Sequence, residues 1–309
     1  MFEAFQIGPF LLWTHLLFLL IAIWMGCEFF FRLAQSAGMS IQHFKDDGWW
    51  HLGAAFLGGR LMAVLAEYRV YLRWDDPFRL FHVHDGNFSF LGAVIGIGVV
   101  LFIRRRRSRT TFLQWLDVLT PAACFGLTFD WLGKFFAGLA YGRPTDAFWG
   151  ITYDTIGVRY AVPVHPVQLY YALFFGILTF VLLVVRKHSK RAGAETLAGI
   201  VAASSATFLF EFFRGDFGIP VFATKLDFFL LILLFGSLGF FALVELRISQ
   251  RAVIITEVVA TSLCALYLFV RPLLPLETIG LRFGQLLAIL ALLGTIVYVL
   301  THRRLHPHL

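Results

Sequence analysis

Apolar residues run through this chain in long, nearly unbroken stretches. They show neither the period-two alternation of a half-buried strand nor the single apolar stripe of a soluble helix. Nine stretches approach or exceed the roughly 20 residues that a helix needs to cross hydrocarbon. They cover 10–31, 49–71, 88–103, 112–139, 165–185, 194–213, 227–246, 252–270 and 283–301. Polar and basic residues collect in the short intervals between them. The pattern predicts an all-α integral membrane protein, a polytopic helical bundle of about nine transmembrane helices.

Composition agrees. Of 309 residues, 59% are hydrophobic, 15% are charged and 36 are Phe, and the mean hydropathy is +0.77. A soluble domain carries about 25% charged residues, so little is left for a separate soluble domain. Lys and Arg set the orientation. With the N-terminus outside, fifteen fall in inner loops, led by Arg104, Arg105, Arg106, Arg107 and Arg109, and nine fall outside. This predicts N-out and C-in, with an extramembrane outer segment near 142–164.

The net charge of +7 invites a nucleic-acid partner, but the charges sit at alternating span ends, where anionic lipid and the positive-inside rule account for them. The segment Met1 to Pro9 carries Glu3 and no basic residue, so the first span reads as an uncleaved anchor. Cys27, Cys124 and Cys264 fall within spans and read as buried, inert thiols. No spacing suggests a metal site, and neither a metal nor another cofactor is expected.

Chemistry has to come from polar groups that lipid would exclude. The interior candidates are Arg60, Asp117, Asp130, Lys134, Glu211, Arg214 and Glu257. Asp130 and Lys134 are one helical turn apart and can neutralise each other; Glu211 and Arg214 are three apart and can do the same. Gly92 and Gly96 read as a small-residue packing stripe. His165-Pro166-Val167-Gln168 reads as a helix start with an imidazole and an amide at the outer interface.

At these residues the chain resembles the prolipoprotein diacylglyceryl transferase family. The resemblance covers roughly residues 5–247. It is carried by Ile7-Gly8-Pro9, Phe56 to Arg60, the Asp85-Gly86 to Gly92 run, Tyr141-Gly142-Arg143, His165-Pro166-Val167-Gln168-Leu169-Tyr170 and Glu211-Phe212-Phe213-Arg214. It implies a seven-span N-out core over 1–247, followed by an additional two-helix segment over 248–309. The family's fourth-span signature, Gly-Arg-x-Gly-Asn-Phe-x-Asn-x-Glu-x-x-Gly, falls on Asp130 to Gly142, where its arginine is Trp131, its asparagines are Lys134 and Ala137, and its glutamate is Leu139. The family histidine falls on Leu91, a second arginine on Thr207, and a first-span tyrosine on Thr14.

The resemblance implies transfer of diacylglyceryl from phosphatidylglycerol to a lipobox cysteine of a lipoprotein precursor, at the outer face of the bacterial cytoplasmic (inner) membrane. Glu211 and His165 are the candidate catalytic residues. Arg60, Asp85, Gly86, Arg143, Gln168 and Arg214 are the candidate lipid-binding residues. Lys134 or Arg60 are candidates for the missing cation, and His84, His165 or Glu211 for the missing base. The alternative is a non-catalytic relative that binds anionic phospholipid or serves as a subunit of a membrane complex.

Overall fold

The computed structural model describes residues 4–7, 10–66, 71, 88–105, 109–154, 157–188, 191–216, 220–222, 234, 236–240, 243, 249–255, 258–259, 262, 266 and 281–305. In chain order its elements are β1 (Ala4–Ile7), β2 (Phe10–Trp13), α1 (Thr14–Ser36), α2 (Gln42–Asp46), α3 (Gly48–Ala66), α4 (Phe90–Arg105), α5 (Arg109–Ala137), α6 (Val167–His188) and α7 (Ala194–Phe210). A 3-10 turn (Glu211–Phe213), β3 (Pro220–Phe222), β4 (Leu281–Arg282) and α8 (Phe283–Leu305) follow.

Among the described residues, five stretches are long and apolar enough to span a membrane: Thr14–Ser36, Phe112–Ala137, Val167–His188, Ala194–Phe213 and Phe283–Thr301. α4 is a shorter apolar helix. The protein is therefore a polytopic helical membrane protein. The expected spans at 227–246 and 252–270 lie largely outside the described residues.

Two expectations need correction. The first span does not begin at residue 10, because Phe10–Trp13 pairs antiparallel with Ala4–Ile7, with Ala4 opposite Trp13. That pairing satisfies backbone groups that an earlier helix start would leave bare. Cys124 is buried as expected, but Cys27 is exposed on the side of α1. Cys264 lies outside the described residues.

The chain divides into two compact units, Met1–Gly199 with Phe213–Phe217, and Ile200–Phe212 with Gly218–Leu309. In the first, α5 is the central helix, packing along both α1 and α6, while α3 packs along α4. A Cβ at Gly92 would run into the Gly58 carbonyl, and one at Gly96 into that of Ala54. This backbone-to-backbone approach is what the small-residue stripe provides. Along α6, Tyr171, Phe175, Leu178 and Leu182 are buried, while Leu173, Ile177, Phe180 and Val184 are exposed. Both faces are apolar, so the exposed one suits lipid.

The ends of these helices are set by specific groups. α5 stops at Gly138, whose φ of 70° lets Gly138 N–H donate to Phe135 and Leu139 N–H donate to Lys134. That closes the last turn and frees the chain to leave the bundle. α7 is capped from outside itself. Asp117 of α5 accepts from Gly193 N at 2.5 Å, Thr196 N at 2.9 Å and Thr196 Oγ1 at 2.7 Å.

In the second unit, β3 and β4 pair antiparallel, with Pro220 opposite Arg282. Gln285 of α8 accepts from Arg282 N at 2.9 Å and donates to Phe208 O at 3.1 Å. Both ends of its amide are hydrogen-bonded, and the side chain is buried.

Candidate functional site

Between Gly138 and Val167 none of the described residues is helical; this is the stretch read from sequence as an outer segment. Extended backbone from three places meets here. Arg143 N donates to Phe213 O and Gly215 N to Tyr141 O, both at 2.9 Å, while His165 N donates to Arg143 O and Thr145 N to Pro163 O, also at 2.9 Å. A Cβ at Gly142 would strike the His165 carbonyl, and one at Gly215 the Gly142 carbonyl, so both positions require glycine. Tyr-Gly-Arg at 141–143 is thus the middle strand of a small knot, and it brings Arg143, His165 and Arg214 to one place.

The side chains there are engaged. Arg143 Nε donates to Arg214 O at 3.1 Å. Arg214 grips Asp216 with two donors, at 3.1 and 2.5 Å. His165 Nδ1 lies 3.1 Å from the Tyr170 hydroxyl, which also accepts from Trp149 Nε1 at 2.7 Å. Burial pushes the His165 imidazole below its ordinary value, which favours the neutral ring.

Gln168 is 0% exposed. It donates to Leu139 O at 2.6 Å and accepts from the Tyr153 hydroxyl at 3.4 Å, tying the segment after α5 to the first turn of α6. Burial pushes the Tyr153 hydroxyl up to about 12, while its bond to Gln168 acts in the opposite sense.

A second polar group lies where α1 meets α5. Lys134 Nζ donates to Asp130 Oδ2 at 2.7 Å, and His15 Nε2 stands 3.5 Å from Asp130 Oδ1. Lys134 Nζ also sits 4.3 Å from the centre of the Trp131 ring. That ring stacks on Tyr171 at 4.0 Å with 7° between planes. Trp131 is therefore a stacked indole and Lys134 an ion-paired lysine. His15 was not among the residues singled out from sequence; the available signal was an ionisable side chain just inside a span, next to Thr14.

In the second unit, Glu211 is 4% exposed and Arg282 8%, with Arg282 Nη1 3.9 Å from Glu211 Oε2. Arg282, which the charge count placed only in an outer loop, is thus a buried partner of a candidate catalytic residue. Of the remaining candidates, Arg60 is buried with its guanidinium 4.8 Å from the Tyr71 ring and 5.8 Å from that of Phe88. Leu91 is exposed on α4 and Ala137 is buried at the end of α5. Thr207 sits one turn before Glu211 on α7. Asp85, Gly86 and His84 lie outside the described residues. Among the described residues no three His, Cys, Asp or Glu side chains gather to hold a metal ion.

Comparison with known proteins gives the family. Residues 3–301 match the family described as prolipoprotein diacylglyceryl transferase, so the likeness runs well past residue 247. The phosphatidylglycerol–prolipoprotein diacylglyceryl transferase of Idiomarina loihiensis is 33% identical over 176 residues, covering 57% of this chain and 65% of that protein. Its namesake in Pseudoalteromonas atlantica is 32% identical over 215 residues, 68% of this chain and 74% of that protein. The one in Escherichia fergusonii is 32% identical over 240 residues, 68% and 79% respectively.

Proposed function

The chain belongs to the prolipoprotein diacylglyceryl transferase family, and on that premise we propose that it moves the diacylglyceryl group of phosphatidylglycerol onto the cysteine thiol of a lipoprotein precursor. On this reading it sits in the bacterial cytoplasmic membrane with its N-terminus outside, as the charge distribution favours. The reaction needs cations for the departing glycerol phosphate and a base for a thiol of ordinary pKa about 8.5.

The observation that carries the proposal is the backbone knot at 141–145, 163–165 and 213–215. It gathers Arg143, His165 and Arg214 from segments up to about 70 residues apart, which simple helix packing does not require. Arg143, Arg214 and Arg60 are the proposed phosphodiester contacts. A lipid phosphate would exchange with Asp216 for the Arg214 fork, one charge-assisted acceptor for another. Gln168 supports the site by fixing the outer segment. Asp85 and Gly86 complete the proposed lipid contacts, and Glu211 and His165 are each proposed as catalytic residues on the resemblance alone.

Expression in a strain depleted of its own diacylglyceryl transferase tests the proposal. Restored growth and lipoprotein maturation support it. A second reading, phospholipid binding without transfer or as a subunit of a membrane complex, is favoured by Leu91, Trp131 and Thr207, none of which can do the work of a histidine or arginine. Failure to rescue, together with phosphatidylglycerol retained on the purified protein, would select that reading.

A further inference from the structure

Asp130 is 2% exposed, and each of its oxygens faces a different titratable side chain. Lys134 occupies Oδ2; His15, from another helix, faces Oδ1 through Nε2 at 3.5 Å. That nitrogen is buried and has no hydrogen-bond partner, yet the His15 side chain is 23% exposed. One side of the ring is thus turned to a held carboxylate while the ring keeps access to the surroundings.

α5 and β2 are the elements that pack most on α1. α5 brings Asp130 and Lys134 to the ring, and β2, Phe-Leu-Leu-Trp, has no titratable side chain. Three of the positions where the resemblance implies a departure from the family signature, Thr14, Trp131 and Lys134, are next to or one turn from His15 and Asp130 in the sequence.

We infer that His15, in place of His165 or Glu211, is the general base toward the acceptor thiol, with Asp130 and Lys134 as its positioning residues; the inference rests on the transferase reading above. Lys134, itself placed over the Trp131 ring, holds Asp130. Asp130 in turn favours the tautomer with a proton on Nε2, and this leaves the Nδ1 lone pair to accept one. The thiol proton passes to Nδ1, and the sulfur forms a bond to the glyceryl carbon that bears the phosphodiester. The C–O bond to phosphate breaks with its electron pair leaving on glycerol phosphate, which recovers the proton from the imidazolium. Atoms and charge balance without a further reactant.

The test is steady-state transfer by the full chain in phosphatidylglycerol-containing liposomes, with a lipobox peptide as acceptor. His15→Gln is expected to lower kcat about 100-fold with KM for the lipid nearly unchanged. The deficit should shrink as pH rises through the thiol's ordinary value of about 8.5, where thiolate forms unaided. A selenocysteine peptide, ionised at neutral pH, should recover most of the lost rate, and a positioning or packing role would not produce that rescue. His15→Asn, which leaves a smaller side chain, should behave alike and guards against a folding defect of one variant. An active wild type matched by both variants, or a deficit that neither high pH nor the selenol relieves, overturns the role of His15 and leaves the transferase reading standing. A wild type that modifies neither peptide overturns both.

Discussion

α5 carries two buried aspartates thirteen residues apart in number, and they live in opposite surroundings. Asp117 gives its oxygens to two backbone N–H groups and a threonine hydroxyl, beside a cavity of about 140 Å3 that Arg186 and Glu195 also line. Asp130 gives its oxygens to a lysine and faces a histidine. The hydrogen-bond donors of the first set do not change protonation, so those bonds serve to hold the start of α7 in place. The second set can exchange protons, so Asp130 can serve chemistry as well as folding. A buried carboxylate is informative about function through what it faces rather than through its burial.

The sharpest break of this comparison is in stability. Asp117→Ala orphans two backbone donors at the start of α7, and the expected loss is about 3 kcal/mol. Transfer per folded molecule should be unchanged. Denaturant unfolding in detergent reads the first and the liposome assay the second. Loss of activity without loss of stability would put Asp117 in the wrong class.

Asp130→Asn strands Lys134. Breaking a fully buried pair costs about 3–5 kcal/mol, but Lys134 is 27% exposed, so about 2 kcal/mol is expected after solvent screening. Adding Lys134→Gln should return part of it, because the pair then goes together. Strictly additive losses in the double-mutant cycle would mean that the two residues are not coupled.

A smaller effect is expected where neither aspartate reaches. The Tyr153 hydroxyl, raised to about 12 by burial, favours the folded state in its neutral form. Its contribution is present below the ordinary tyrosine value near 10 and is lost as pH climbs from there to about 12. Tyr153→Phe should flatten the alkaline fall in stability while costing only about 0.5 kcal/mol at neutral pH, since the bond to Gln168 is long. An unchanged alkaline profile would remove Tyr153 from the cause.

The sequence pattern made the helices legible because hydrocarbon imposes a length and composition that survive in any single chain. It also showed the Asp130–Lys134 pair, which is local to one turn. His15, 115 residues from Asp130 along the chain, and Arg282, 71 residues from Glu211, left no local mark, and nothing in spacing alone joins them. The Asp117 cap was hidden for the same reason: its donors lie 76 and 79 residues away. The pairing of Arg214 with Asp216 was hidden by the assumption of an unbroken helix through residue 213. The backbone turns into a 3-10 turn at Glu211 and then extends at Arg214.

The direct measurement is the transfer rate per folded molecule of Asp130→Asn beside Asp117→Ala, each normalised to its own folded fraction. The account predicts a fall of about tenfold or more for Asp130→Asn, through a misplaced His15, and a rate within about twofold of wild type for Asp117→Ala. Equal rates for the two variants, or the larger loss at Asp117, would contradict it.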